Sequence, residues 1–210
     1  MKNSLAMLLG SISEITNHCN PQSCPMYDTF NRMQHEAQRV NRDLILLLTL
    51  YKMDKGQYFF NIDEVNMNEF LEEVIIDYKD LLQNYNIKIS LECDPDLVGY
   101  LDRNLVSSII KTIISNAYQY TTDSIVINVT SDDGYTKISV IDNGCGYPEQ
   151  MLIDGTPDSN TVNFETGSTG LGLYFSSRVA NLHKSKTRKG YIRISNKTNP
   201  QGGCFSIYLP

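Results

Sequence analysis

A chain of 210 residues with 41% hydrophobic and 20% charged content is long enough for one medium domain, or a smaller domain with an accessory element, around a sizeable core. Thirteen glycines and seven prolines are ordinary usage and exclude collagen-like and low-complexity classes. Eighteen Lys+Arg against 24 Asp+Glu give a net charge of −6, which argues against nucleic acid as a partner, because affinity for a phosphate backbone rests on clustered cations.

Met1-Lys2-Asn3-Ser4-Leu5 lacks the cationic region, apolar run and small-residue cleavage site of a secretory signal, so a cytoplasmic location is expected. Leu5, Leu8, Ile12, Ile15 and Cys19 alternate three- and four-residue steps, and Phe30, Met33, Ala37, Val40, Leu44, Leu47 and Tyr51 do the same. That spacing predicts two helices with a heptad seam. Asn20-Pro21-Gln22-Ser23-Cys24-Pro25 reads as a turn, so residues 1–56 are expected to form an antiparallel helical hairpin. Two helices bury little by themselves. A second copy of the hairpin would cover both seams in a four-helix bundle, which predicts a homodimer. The second helix, from about Tyr27 to Asp54, would be roughly 40 Å long and the first only about 28 Å, a mismatch that predicts a first helix continuing upstream of Met1. The longest apolar run, Leu44 to Leu50, is interrupted by Thr49 and falls far short of the roughly 20 residues that span a bilayer, so no membrane contact is expected.

Residues 57–210 have a mixed pattern. Gln57 to Ile62 is expected as a strand, and Phe70, Val74, Ile75, Tyr78, Leu81 and Leu82 as one face of a helix. Ile87, Ile89, Leu91 and Cys93 alternate as a half-buried strand ended by the turn Asp94-Pro95-Asp96. A helix from about Asp102 to Tyr120 precedes a hairpin, Ile125, Ile127 and Val129 pairing through Asp132-Asp133-Gly134 with Ile138 and Val140. After a glycine-rich stretch come a helix from about Leu171 to Leu182 and two strands, Tyr191 to Ser195 and Cys204 to Leu209. This order predicts an α+β class, a two-layer α/β sandwich with helices on one face of an antiparallel-rich sheet. Five cysteines without framework spacing are expected as reduced thiols.

Three clusters carry candidate chemistry. Asn116 and Tyr120 lie one turn apart on the helix face that also holds Ile109 and Ile113; a carboxamide there is either a core Asn bonded to backbone or an oxygen ligand for nucleotide-borne Mg2+. Ile141-Asp142-Asn143-Gly144-Cys145-Gly146 follows a strand. It is either a plain turn or an acidic acceptor for an exocyclic amine, with glycines at 144 and 146 letting backbone pass close to a planar ring. Thr166-Gly167-Ser168-Thr169-Gly170-Leu171-Gly172-Leu173 opens a helix; it is either a flexible lead-in or a phosphate site made by free amides and the helix dipole.

In this order the clusters resemble the ATP-binding domain shared by sensor histidine kinases, gyrase, Hsp90 and MutL. The Gly-Leu-Gly-Leu form, the preceding hairpin and the ending Gly202-Gly203-Cys204-Phe205-Ser206-Ile207-Tyr208-Leu209-Pro210 resemble the histidine kinase branch. The resemblance implies residues 1–56 as a dimerisation and phosphotransfer hairpin and 57–210 as the catalytic ATP-binding domain. It makes Asn116 the catalytic amide that holds Mg2+ and Asp142 the reader of adenine, with Tyr120, Gly144, Gly146, Thr169, Gly170, Leu171 and Gly172 lining the ATP site. It also implies transfer of the γ-phosphoryl to a His and then to an Asp of a response regulator receiver domain.

The departures matter as well. Thr112 stands where another Asn is frequent, Gln119 where Lys is common and Ser168 where Gly is common. Between Pro148 and Gly170 the family has a lid that orders over nucleotide; here Phe164 alone remains of its Phe-rich box, and the loop is expected to be disordered without ATP. Met1 to Leu5 aligns with the five residues that follow the family's acceptor His by one intervening position, so that His would fall two positions before Met1. Asn3 then matches the residue that orients water for dephosphorylating the regulator. A second reading, a nucleotide-binding adaptor that binds a regulator without phosphorylating itself, stays open; a gyrase-type or Hsp90-type ATPase is disfavoured because no catalytic Glu is evident near Asn116. His18, His35 and His183 are expected in solvated or capping roles, Cys145 as a space-filler, and the run from His183 to Lys189 as a solvated turn.

Overall fold

The computed structural model describes residues 2–18, 26–153, 170–199 and 201–210. The chain divides into two compact units, Met1–Tyr58 and Phe59–Pro210. In the first, α1 (Lys2–His18) packs against α2 (Tyr27–Asp54). Ile12 and Ala37 are buried between them, while Leu8, Met33, Val40, Leu47 and Tyr51 remain about half exposed, because a pair of helices covers only one flank of each seam. Among the described residues no helix is long and apolar enough to cross a membrane.

The second unit runs β1 (Asp63–Asn66), α3 (Met67–Asn84), β2 (Lys88–Glu92), β3 (Val98–Leu101), α4 (Arg103–Tyr120), β4 (Ser124–Asp132), β5 (Tyr135–Asp142), α5 (Glu149–Ile153), α6 (Leu171–Leu182), β6 (Tyr191–Thr198) and β7 (Gln201–Leu209). Five strands form one sheet in the order β2-β4-β5-β7-β6, parallel between β2 and β4 and antiparallel elsewhere. The register aligns apolar rows across it: Ile127 opposes Val140, which opposes Phe205, and Val129, Ile138, Ile207 and Ile192 form the next row. These side chains are buried against α3, α4 and α6, each contributing about 1.5–3 kcal/mol of transfer free energy. Asp133 and Gly134, both at positive φ, make the tight turn between β4 and β5.

Helices α3 and α4 start at polar caps. Asn66 Oδ1 accepts from the Glu69 N–H, and Asp102 Oδ1 accepts from the N–H groups of Asn104 and Leu105 at 3.1 and 3.0 Å. Helix α4 buries Leu105, Val106, Ile109, Ile110, Ile113, Ile114 and Ala117, an uninterrupted inward stripe. Tyr78 Oη donates to the Lys111 carbonyl at 3.0 Å and joins α3 to α4.

Residues 57–62 are not a strand. The adjoining β1 pairs in full with the four-residue β3, Asp63 opposing Leu101 and Asn66 opposing Val98, so the ladder ends at Asp63. Strand formation requires a partner, so Phe59 is left 95% exposed. Strand β3 itself falls outside the expected elements. His183 takes the second of its two expected roles: it is the C-cap of α6, with Nδ1 2.9 Å from the Val179 carbonyl oxygen, and it is buried rather than solvated, 1% exposed.

Candidate functional site

Three element ends meet on one side of the sheet: the last turns of α4, the end of β5 and the start of α6. Asp142 leaves β5 with Oδ1 accepting from the Gly144 N–H at 2.8 Å and the Gly203 N–H at 3.2 Å. Two backbone donors thus hold one carboxylate oxygen, and Oδ2 has no hydrogen-bond partner among the described residues. Glycine is required around this oxygen, since a Cβ at position 203 would lie 2.7 Å from Oδ2 and one at 202 would overlap the Asp142 carbonyl.

Asn143 fixes the end of β5 to the α4–β4 connection. Its Oδ1 accepts from Thr121 Oγ1 at 2.9 Å and from the N–H groups of Thr122, Asp123 and Ser124 at 3.2, 3.2 and 3.1 Å, and its Nδ2 donates to Asp123 Oδ1 at 2.8 Å. Sequence reasoning assigned it no role; an Asn beside the Asp of a strand end was the available signal. Asn143→Ala leaves these donors without their acceptor and is expected to destabilise the domain by about 1–3 kcal/mol, read as a fall of several degrees in the thermal midpoint.

The turn after Asn143 is closely packed. A Cβ at Gly144 would overlap the Tyr120 carbonyl oxygen, so this glycine lets β5 approach the end of α4, where the Tyr120 ring is 56% exposed. Gly146 has φ +79 and faces Asn196, whose Oδ1 accepts from the Tyr147 N–H at 2.7 Å while its Nδ2 donates to the Tyr147 carbonyl at 2.8 Å. Asn196 is a second residue the sequence did not flag. Burial, with the Asp142 carboxylate and Cys204 nearby, pushes the Tyr147 phenol well above its ordinary range, so it stays protonated.

Asn116 is exposed on the fourth turn of α4, beside the apolar face rather than within it. It has no hydrogen-bond partner among the described residues, which excludes the reading of a core Asn bonded to backbone. Thr112, one turn earlier, turns its hydroxyl back on its own helix, Oγ1 donating to the Ser108 carbonyl at 2.8 Å. Gly172 packs onto this stretch: a Cβ there would come 2.9 Å from Thr112 Cγ2 and 3.9 Å from Asn116 Nδ2. Helix α6 starts at Gly170, in the left-handed region at φ +61, with no side-chain cap and no acidic residue in its first turn. The first amides of α6, at Leu171 and Gly172, therefore have no intrahelical acceptor and keep the positive end of the dipole open to an anion.

The structure brings Asn116, Tyr120, Asp142, Gly144, Gly146, Gly170, Leu171 and Gly172 to these three element ends. Thr169, Phe164 and the lid between residues 154 and 169 lie outside the described residues, as does the side chain of Asn3, whose backbone belongs to α1. Cys93, Cys145 and Cys204 carry free thiols.

Residues 101–210, just over half of the 210-residue chain, match the model of the histidine kinase-, DNA gyrase B- and HSP90-like ATPases. The chain belongs to this ATPase family. The matched part starts at the end of β3 and takes in every element that contributes to the site. Histidine kinase P4 of Formosa agariphila is 28% identical over 194 residues, covering 86% of this chain and 13% of that protein. Sensor histidine kinase TmoS of Ectopseudomonas mendocina is 25% identical over 218 residues, covering all of this chain and 22% of that protein. The chain thus spans under a quarter of the length of these two curated relatives. In fold it is similar to Acinetobacter baumannii histidine kinase AdeS, with a TM-score of 0.63, 18% identity, and coverage of 99% of this chain and 95% of that one. The matched ATPase domain lies within the second unit, and these two curated relatives are histidine kinases.

Proposed function

We propose that the chain is the kinase core of a two-component sensor, binding Mg-ATP and directing its γ-phosphoryl to a His on a bundle helix and then to an Asp of a response regulator receiver domain. The observation that carries the nucleotide part is a half-buried carboxylate whose Oδ1 is fixed by two backbone amides, whose Oδ2 has no hydrogen-bond partner among the described residues, and beside which glycines stand at 144, 202 and 203 where a Cβ would collide.

Each of the chain's own groups has a task that matches its chemistry. Asp142 Oδ2 accepts from the exocyclic amine of adenine, and Gly144 and Gly146 keep the backbone close enough for the ring to lie against it. The amides of Leu171 and Gly172 cradle phosphate oxygens at the start of α6, joined by Thr169. Tyr120 edges the site from the end of α4. Asn116 fits a hard cation: its carboxamide is exposed, has no hydrogen-bond partner among the described residues and lies close to Gly172 at the start of α6. Mg2+ bound there would neutralise phosphate charge during transfer; the protein's share is placement and electrostatics.

The half-exposed seam of α1 and α2 supports a homodimer, because an apolar stripe of this kind is covered by a second copy of the hairpin. On this reading Asn3 is the residue that orients water for dephosphorylation of the regulator. His183 is excluded as the phosphate acceptor, since it is buried with both ring nitrogens hydrogen-bonded.

Calorimetry with and without Mg2+ tests the metal ligand. Asn116→Ala is expected to abolish the gain in ATP affinity that Mg2+ confers while the thermal midpoint stays within about 2 °C, since an exposed amide contributes little packing. A retained Mg2+ effect removes the assignment. For phosphotransfer, the chain lengthened at its start to supply the acceptor His should take label from γ-labelled ATP on an acid-labile, base-stable site; bound but untransferred nucleotide would instead indicate the adaptor.

A further inference from the structure

His183, the residue that ends α6, is tied at both ring nitrogens. Nδ1 lies 2.9 Å from the Val179 carbonyl oxygen and Nε2 lies 3.0 Å from the backbone nitrogen of Asp102. A carbonyl oxygen only accepts and an amide N–H only donates, so the ring carries its proton on Nδ1 and presents a lone pair at Nε2. That is the neutral form. An imidazolium would set a second N–H against the Asp102 N–H inside a site that is 1% exposed.

The position of this ring in the fold gives the contact its meaning. Asp102 caps α4, the helix that carries Asn116, and Val179 belongs to α6, the helix whose first turn opens toward the phosphates. At the other end of the same pair Gly172 packs on Thr112. At 1.5 Å per residue Gly172 to His183 spans about 16.5 Å and Thr112 to Asp102 about 15 Å, so the two helices are joined at two points of similar spacing. Phe60 closes the cluster edge-on to the imidazole at 4.8 Å, and the Asn61 N–H donates to Asp102 Oδ2 at 3.2 Å.

We infer that His183 is a positioning residue whose neutral imidazole holds the start of α4 to the end of α6, keeping the two nucleotide-facing helices in register, and that its protonation loosens both. This rests on the proposed ATP site for its functional consequence, though not for the tie itself. Burial pushes the imidazole below its ordinary pKa of 6.5, against the opposing pull of the Val179 carbonyl and of the Asp102 carboxylate, the charged group that acts on the ring among the described residues. The folded state therefore binds fewer protons than the unfolded chain just below pH 6.5. The stabilisation is complete above that pH and is lost as pH falls through the folded value.

His183→Gln separates positioning from bulk. A Gln carboxamide offers one acceptor and one donor spaced like the two ring nitrogens, and it does not titrate. Calorimetry with Mg-ATP at pH 7.5 and at one pH unit below the midpoint of the wild-type His183 ring titration is expected to show wild-type affinity falling about fivefold to tenfold, with the His183→Gln protein changing under about twofold. Titration of the ATP phosphates is common to both proteins and cancels in the comparison. A fall of the same size in both proteins, or none in the wild type, overturns the inference. Without nucleotide, the amide NMR signals of Asp102, Asn116 and Gly172 in the wild-type protein should shift together with the His183 ring, at one midpoint below pH 6.5. Separate midpoints, or a ring that titrates while those amides stay still, overturn it as well. This second measurement decides the matter if His183→Gln fails to fold. If the wild type binds no ATP at pH 7.5, the proposed function falls and the amide titration still decides the tie.

Discussion

Asp142→Asn is expected to weaken ATP binding by about 10- to 150-fold while the domain stays folded. Asparagine retains an Oδ1 that accepts from Gly144 and Gly203, so the turn is still held. What changes is the second atom, which becomes an NH2 group pointing at the amine of adenine, donor against donor. Loss of a hydrogen bond to a charged acceptor costs about 1.5–3 kcal/mol, which sets the range quoted. Calorimetry gives the affinity and thermal unfolding gives the control. A triphosphate of a purine that lacks the exocyclic amine adds a finer comparison: the wild type should discriminate against it, and the variant should not. Equal ATP affinity in the two proteins would falsify Asp142 as the adenine reader.

Gly144→Ala should damage stability and binding together. Its Cβ would overlap the Tyr120 carbonyl oxygen and come 3.0 Å from Asp142 Oδ1. Neither neighbour yields easily. Tyr120 closes a helix whose inward stripe is buried, and the Asp142 oxygen is held by two amides. Separating β5 from α4 by the space of a methyl group costs about 2–3 kcal/mol and draws Asp142 away from Asn116, so ATP affinity should fall more than tenfold at temperatures where the variant remains folded. Denaturant unfolding and calorimetry on the same sample check both. A stable variant with normal affinity would mean that this approach of strand to helix is not needed for the site.

Much of this was legible in the residues. Helix α2 at Tyr27–Asp54 and helix α6 at Leu171–Leu182 follow from apolar spacing and from the Pro, Gly and polar residues that bound them. The β4–β5 hairpin follows from alternation around Asp-Asp-Gly. Asn116, Asp142 and Gly172 stood out because each breaks the pattern of its own element: a carboxamide beside an apolar face, an acid at a strand end, a small residue in a helical first turn.

The misses share a cause. Residues 57–62 read as a strand from their own composition, yet β3 had length enough for four residues of β1 and no more. Asn143, Asn196 and His183 are small polar signals in sequence and become structural ties only through partners that lie about 20, 49 and 81 positions away.

Local order thus settles which segments become helix or strand, and which residue types stand at the element ends, since backbone propensity, capping and apolar period act over a few positions. Which ends meet, which glycine must admit a carbonyl, and which protonation state a buried ring adopts belong to the assembled molecule. Those depend on the registry of groups far apart in the chain, at distances where an added methyl group or an added proton has nowhere to go.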